Sequence, residues 1–208
     1  MRPSGRHRAL FPGLEFAPPQ FVWHALFRLR SMLLRRAVFL DRDGVVNRCE
    51  VRSGKPYAPS HLREFRLLPG AAAAVRDLKS AGLLVIVVTN QPDIGNGLTD
   101  PAVVEAMHDK LRRTMPIDGV MVCPHRQDEG CNCRKPKPGM LLTAANSWKI
   151  DLKKSFMVGD RWGDVVAGQA VGCYTVFVNR GYKEAPLATP DNMAKSLVSA
   201  TRLILSLI

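Results

Sequence analysis

Short apolar runs near residues 37–40, 83–88, 118–122, 155–158 and 174–178 alternate along the chain with longer segments of helical character. A continuous apolar run of this length reads as a strand buried on both faces of a parallel sheet. The helical segments fall near 70–81, 100–114, 138–148 and 163–171, with a last one at about 191–206. Strand and helix in turn imply a three-layer, Rossmann-like α/β fold, its parallel sheet covered on both faces. With 208 residues the chain can build one well-buried core but not two large domains. We expect one domain over residues 37–208, preceded by a basic extension over residues 1–36.

The residues that follow each strand carry the candidate chemistry. On an open α/β sheet, reactive groups collect just beyond the carboxyl ends of the strands. The run 37–40 ends in Asp41-Arg42-Asp43-Gly44, two carboxylates one residue apart beside a turn glycine. Carboxylates this close to an apolar strand call for a cation between them. After the second run come Thr89, Asn90 and Gln91, with a hydroxyl and amides able to hold phosphate oxygens. Arg134-Lys135-Pro136-Lys137-Pro138-Gly139 brings fixed positive charge just before a helix, and Gly159-Asp160-Arg161-Trp162-Gly163-Asp164 brings a second acidic pair. Aspartates, a threonine and a lysine at successive strand ends suit metal-assisted phosphoryl transfer through an aspartyl intermediate. Two of these residues have a plain alternative: Thr89 and Asp164 could each serve as a helix N-cap.

Four of the soft or borderline ligands lie on one short loop. Cys123-Pro124-His125 is followed by Cys131-Asn132-Cys133, a Cys3His set that matches a closed tetrahedral zinc site with no open position. Such a site is structural, pinning a loop with few apolar residues and holding Arg134 and Lys135 at the rim of the crevice. The alternative is a set of unrelated thiols; a Cys131–Cys133 disulfide would be strained. Cys49 and Cys173 read as small buried hydrophobes.

Taken in order, Asp41-X-Asp43, Thr89, Lys135 and Gly159-Asp160 through Asp164 resemble the four motifs of the haloacid dehalogenase superfamily of phosphotransferases. The phrases Phe-Leu-Asp-Arg-Asp-Gly-Val-Val-Asn, Thr-Asn-Gln, Cys-Asn-Cys-Arg-Lys-Pro-Lys-Pro-Gly-Met and Met-Val-Gly-Asp bring it nearer one branch, the D,D-heptose 1,7-bisphosphate and histidinol phosphatases. The resemblance spans residues 37–184 and implies a capless phosphatase, since neither interval between the first three motifs has room for a cap domain. It implies Mg²⁺ held by the Asp41 carboxylate, the Asp43 main-chain carbonyl and Asp160, with Asp41 as nucleophile and Asp43 as general acid and base. Thr89 and Lys135 would stabilise the transferring phosphoryl group. Asn90, Gln91, Arg134, Arg161 and Tyr57 would contact substrate, with Asp164 orienting Lys135 or a metal-bound water. The same branch carries a zinc loop. The implied activity is removal of the 7-phosphate of D-glycero-D-manno-heptose 1,7-bisphosphate in bacterial heptose nucleotide synthesis, the precursor route to lipopolysaccharide. Histidinol phosphate or another small phosphate ester would suit the same motifs, and a non-catalytic phospholigand-binding protein is the reading from another class. Intact Asp41 and Asp43 count against that last one. The loop Pro92-Asp93-Ile94-Gly95-Asn96-Gly97 departs from the usual glycine-rich basic pattern, and Asp93 there would repel a phosphate.

Charge adds little to these expectations. The net charge is +12, and five arginines against one glutamate in residues 1–31 leave +8 for the remainder. A basic chain attracts anions in general, yet no nucleic-acid-binding motif or aromatic platform is present and aromatic residues are only 7%. A small phosphorylated sugar accounts for the basicity. Metal-bearing thiols and no disulfide framework place the protein in a reducing cytoplasm, and we expect a monomer. Arginines interrupt the apolar positions of residues 21–34 too often for a membrane span or secretory signal. We expect translation to start at Met32; a presequence or an arginine-rich amphipathic helix over Phe21 to Leu34 are the competing readings.

Overall fold

The structure, a computed structural model, describes residues 34–208. The basic extension up to residue 33, the expected start at Met32 and all but the last residue of the helix expected over 21–34 lie outside the described residues.

Alternation in the first strand decides how the core is divided. In β1 (Ala37–Leu40), Val38 and Leu40 point to one side of the sheet and Ala37 and Phe39 to the other, all fully buried. β4 (Leu84–Asn90) repeats the pattern in parallel register beside it, Ala37 opposite Leu84 and Leu40 opposite Val87. A period of two with no polar face requires a helix layer on each side. On one side lie α1 (Ala71–Ser80), α3 (Pro101–Thr114) and α6 (Leu197–Ser206), which pack Val75, Leu78, Met107, Leu111 and Ile204 against Val38 and Val85. On the other, α4 (Gly139–Trp148) packs Met140, Leu141 and Ala144 against Phe39 and Ile86, beside α5 (Trp162–Gln169).

Six parallel strands complete the sheet in the order β5-β4-β1-β6-β7-β8, where β5 is Gly119–Cys123, β6 Phe156–Gly159, β7 Tyr174–Val178 and β8 Asn192–Ala194. The chain moves outward from β1 through β4 to β5, then returns to the far side of β1 for β6. That reversal opens a crevice at the carboxyl ends of β4, β1 and β6. The expected three-layer fold is therefore present.

Three local differences from the sequence reading have physical causes. β4 runs on through Thr89 and Asn90, so Thr89 sits on a strand and not at a helix N-cap. The helix expected over 191–206 is divided. Asp191 accepts hydrogen bonds from the Thr175 main-chain N (2.8 Å) and Oγ1 (2.6 Å), which docks Asn192–Ala194 on β7 as a sixth strand. Ser196 then starts α6, its Oγ accepting from Ser199 N at 3.2 Å. Finally, the loop regions contain elements of their own: an antiparallel hairpin of β2 (Glu50–Arg52) and β3 (Lys55–Tyr57), and a short helix α2 (Pro92–Gly95).

Candidate active site

Asp41 continues β1 by one residue, its N–H bonded to Val158 O at 2.9 Å, and so stands between the ends of β4 and β6. Its carboxylate is buried and accepts from Lys135 Nζ at 2.7 Å. The same ammonium bonds Asp164 Oδ1 at 2.6 Å and Val88 O at 2.7 Å, so all three of its protons are engaged and the amine is fixed between two acids. Lys135 reaches this point because Asn90 grips its backbone. Lys135 N donates to Asn90 Oδ1 (3.1 Å), and Asn90 Nδ2 donates to Lys135 O (3.0 Å). Asp164 also accepts from Arg161 N at 3.0 Å, as the third residue of α5. It caps the helix and orients the lysine at once.

Asp160, at the tip of β6, is the residue that points to a cation. Its Oδ2 accepts from Tyr182 Oη at 2.7 Å, but its buried Oδ1 has no hydrogen-bond partner among the described residues. Carboxylate oxygens of Asp41, Asp160 and Asp164 lie within 4.8 Å of one another. One lysine cannot offset three buried carboxylates. Burial raises the Asp41 pKa, Lys135 opposes the rise and Asp164 and Asp43 add to it, leaving the carboxyl at about 6. Burial and then the charges of Asp41 and Asp164 push Asp160 well above its usual range. Hard oxygen donors with one orphaned atom fit Mg²⁺. Gly44 makes room for this cluster: its φ is +88°, and a Cβ there would lie 1.7 Å from Asp160 Oδ2.

Asp43 has a different set of partners. Its carboxylate accepts from Asn47 Nδ2 (2.8 Å), Gln91 Nε2 (2.7 Å) and Arg42, whose Nη2 lies 2.9 Å from Oδ2. The two aspartates of the pair therefore have separate surroundings, one beside an amine and acids, the other under a fan of donors. Gln91, expected at the substrate, is buried and directs its amide to Asp43 and to Thr89 Oγ1 (2.9 Å). That geometry makes it a support for the two residues it touches.

The remaining expected residues are spread around the rim. Arg134 has a buried Nη1 without a partner among the described residues. Arg161 is ion-paired with Glu184. Tyr57 lies exposed on the hairpin beneath the Arg52 guanidinium, 5.2 Å from its ring centroid, and makes no hydrogen bond to the crevice residues described. The Asp93 main-chain carbonyl accepts from Leu98 and Thr99, closing the turn after α2.

Cys123, His125, Cys131 and Cys133 converge. Their Sγ and Nδ1 atoms are 3.1–3.6 Å apart in five pairs, and no cysteine is in a disulfide. A tetrahedron with Zn–S bonds of about 2.3 Å has edges of roughly 3.7 Å, so a zinc ion fits the set with slight expansion. The loop returns tightly onto itself, Gly139 N donating to Asn132 O at 3.1 Å; a Cβ on Gly139 would lie 2.2 Å from that oxygen. α2 leans on its start through Gly95 N and Pro124 O (2.9 Å).

One segment escaped the sequence reading. After β7, Arg180 Nε donates to Gly44 O (2.7 Å), Tyr182 bonds both Asp160 and Cys49 Sγ (3.0 Å), and Lys183 N bonds Gly54 O on the hairpin (2.9 Å). Cys49 is thus a hydrogen-bonded thiol, whereas Cys173 is buried in the core as expected. The segment follows a strand end, the same signal that located the other motifs. Beside Asp160 it helps enclose a cavity of about 310 Å³ lined by Trp162, Phe177, Asn179, Tyr182 and Glu184.

Acids and a lysine gathered at the carboxyl edge of such a sheet are the arrangement of a haloacid dehalogenase-like hydrolase, and a HAD-hydrolase-like family model matches residues 132–200. A D-glycero-β-D-manno-heptose-1,7-bisphosphate 7-phosphatase of Pseudomonas aeruginosa is 40% identical over 161 residues, 75% of this chain and 88% of the relative. One of the same name from Escherichia coli is 36% identical, covering 73% of this chain and 83% of the relative. The crystal structure of D,D-heptose 1,7-bisphosphate phosphatase from Bordetella bronchiseptica, complexed with magnesium and phosphate, superposes with a TM-score of 0.73 at 31% identity, over 83% of this chain and 99% of that one. The chain belongs to the haloacid dehalogenase family, in its heptose bisphosphate phosphatase branch, and is a phosphoric monoester hydrolase. No helix among the described residues is long and apolar enough to cross a membrane.

Proposed function

We propose that this enzyme hydrolyses the 7-phosphate of D-glycero-D-manno-heptose 1,7-bisphosphate, with Mg²⁺, through an aspartyl phosphate on Asp41. The observation that carries the chemistry is the division of labour between the two aspartates: Asp41 beside Lys135 and the orphaned Asp160 oxygen, Asp43 among donors. The names of its relatives support the sugar.

Asp41, Asp160 and the Asp43 main-chain carbonyl would hold Mg²⁺, which neutralises phosphate charge and polarises the phosphorus when bound. The Asp41 carboxylate attacks phosphorus in line, and the bond from phosphorus to the sugar oxygen breaks as Asp43 gives that oxygen its proton. Water then attacks the phosphorus of the aspartyl phosphate. Asp43 takes the proton, inorganic phosphate leaves, and Asp41 is restored. Lys135 holds Asp41 in place and offsets charge on the phosphoryl group, with Thr89 as a hydroxyl donor to it. Arg134, whose Nη1 is unpartnered, and Arg161 suit the second phosphate of the substrate. Residues 37–208 form the phosphatase domain, with Zn²⁺ at the Cys3His loop. A reducing cytoplasm and a monomeric state agree with the free thiols and with a site built within one chain.

Phosphate release from heptose bisphosphate anomers, histidinol phosphate and common sugar phosphates, with and without Mg²⁺, tests the substrate; preference for histidinol phosphate would overturn it. For the covalent step, Asp41→Asn should lose activity by roughly 10⁴-fold or more with an unchanged melting temperature. A phosphoryl group trapped on any residue but Asp41 would refute the route.

A further inference from the structure

We infer that Arg42 and His108 are positioning residues that hold the Asp43 carboxylate in its working orientation from behind the site. The inference rests on the proposed role of Asp43 as proton donor. Arg42 is the middle residue of the aspartate pair and is completely buried, as is His108 on α3, 66 positions away in sequence. The guanidinium uses all three nitrogens. Nε and Nη2 straddle the Asp43 carboxylate at 2.9–3.3 Å, and Nη1 lies 3.0 Å from His108 Nε2. Phe65 lies against the guanidinium, whose carbon is 5.5 Å from the ring centroid.

The chemistry of that third contact is one-directional. Arginine is always protonated and can only donate, so His108 Nε2 must accept. The ring is then neutral with its proton on Nδ1, which lies 3.3 Å from Glu105 Oε2. Burial and then the adjacent Arg42 lower the His108 pKa, in accord with the neutral ring. Asp43, Arg42, His108 and Glu105 thus form one chain of contacts from the crevice to the exposed side of α3. With Phe65 against the guanidinium and His108 at its far end, the fork has one orientation, and together with the amides of Asn47 and Gln91 it sets where Asp43 presents its oxygens. A buried arginine held only by Asp43 would be free to swing with it.

Leaving-group chemistry separates this role from a purely structural one. A sugar alkoxide needs a proton to depart, whereas p-nitrophenolate does not. We therefore expect His108→Leu to lower kcat/KM about 10- to 100-fold for a sugar phosphate and only about threefold or less for p-nitrophenyl phosphate. His108→Gln, whose amide oxygen can accept from Nη1, should recover most of the sugar-phosphate rate. Equal losses on both substrates, or no rescue by glutamine, would overturn the inference. Asp43→Asn is the reference: it should show the same discrimination, more strongly. If it lowers both substrates alike, the proton-donor reading itself fails; if it discriminates and His108→Leu does not, only the present inference fails. Should His108→Leu not fold, Arg42→Lys, which keeps the charge but cannot bridge Asp43 and His108, must show the same substrate dependence.

Discussion

Lys135 and Cys133 are two residues apart, yet they belong to regions held together in opposite ways. Around Lys135, the sheet and helices bring the charges into a buried space, and Asp41, Asp164 and Val88 O fix the amine. Around Cys133, little apolar surface is available: residues 126–130 are exposed, and four ligands facing one point provide the organisation. In the first region the fold holds the functional groups. In the second, the ligand set with its metal would hold the fold. The lysine needs both, because its backbone is tied to Asn90 on one side and follows the cysteine loop on the other.

Lys135→Met should cause the largest effect, since it leaves Asp41 and Asp164 without their shared cation. Turnover should fall about 10³-fold or more while zinc content stays near one per chain. Residual activity within tenfold of the parent would show that the buried amine is not essential. Cys131→Ser strikes the other region. It should release zinc, increase amide exchange in residues 124–137 and reduce kcat/KM roughly 10- to 100-fold, with β1 and β4 still protected. Loss of protection in those strands would mean that the two regions are not separable.

The smallest expected effect concerns protons at the acidic cluster. In the metal-free protein Asp41 is raised from 3.8 to about 6, and Asp160 is raised in the same direction. The folded state therefore binds more protons than the unfolded chain between about pH 4 and 6, and stability falls as pH rises through that window. Bound Mg²⁺ must displace those protons, so its affinity should weaken by up to about tenfold per pH unit below 6 for each proton released. Magnesium titration followed by melting temperature at pH 5 and pH 7 measures this; equal shifts at both would contradict the cluster as the site of binding.

The difference between the regions also explains which features are legible in the chain alone. Spacing carried the cysteine loop, because ligands two and eight residues apart on one short segment can meet locally. Strand ends carried Asp41, Thr89 and Asp160, because an apolar run followed by an acid or hydroxyl marks the carboxyl edge of a sheet; Lys135 lies twelve residues beyond β5, past the cysteine loop, and only the fold brings it to that edge. The same rule located Gln91 but did not show that its amide turns inward to Asp43. Nothing local announces that turn. Tyr182 and Arg180 were missed although they too follow a strand, since a tyrosine and an arginine after a run are common in exposed loops. The boundary at residues 191–196 was missed because three residues of sixth strand acquire their identity only from β7 beside them.

Local pattern was enough to place five of the six sheet strands, the helices between them, the acids at β1 and β6 and the metal-ligand loop, because period and spacing are properties of short segments. Tertiary structure decided which acid faces which donor. Arg42 meets His108 across 66 positions, Tyr182 meets Asp160 across 22 and Cys49 across 133, and each contact exists only after the sheet and its helices have closed. The physical reason is that a carboxylate's role follows from its neighbours and its burial, and packing alone supplies both.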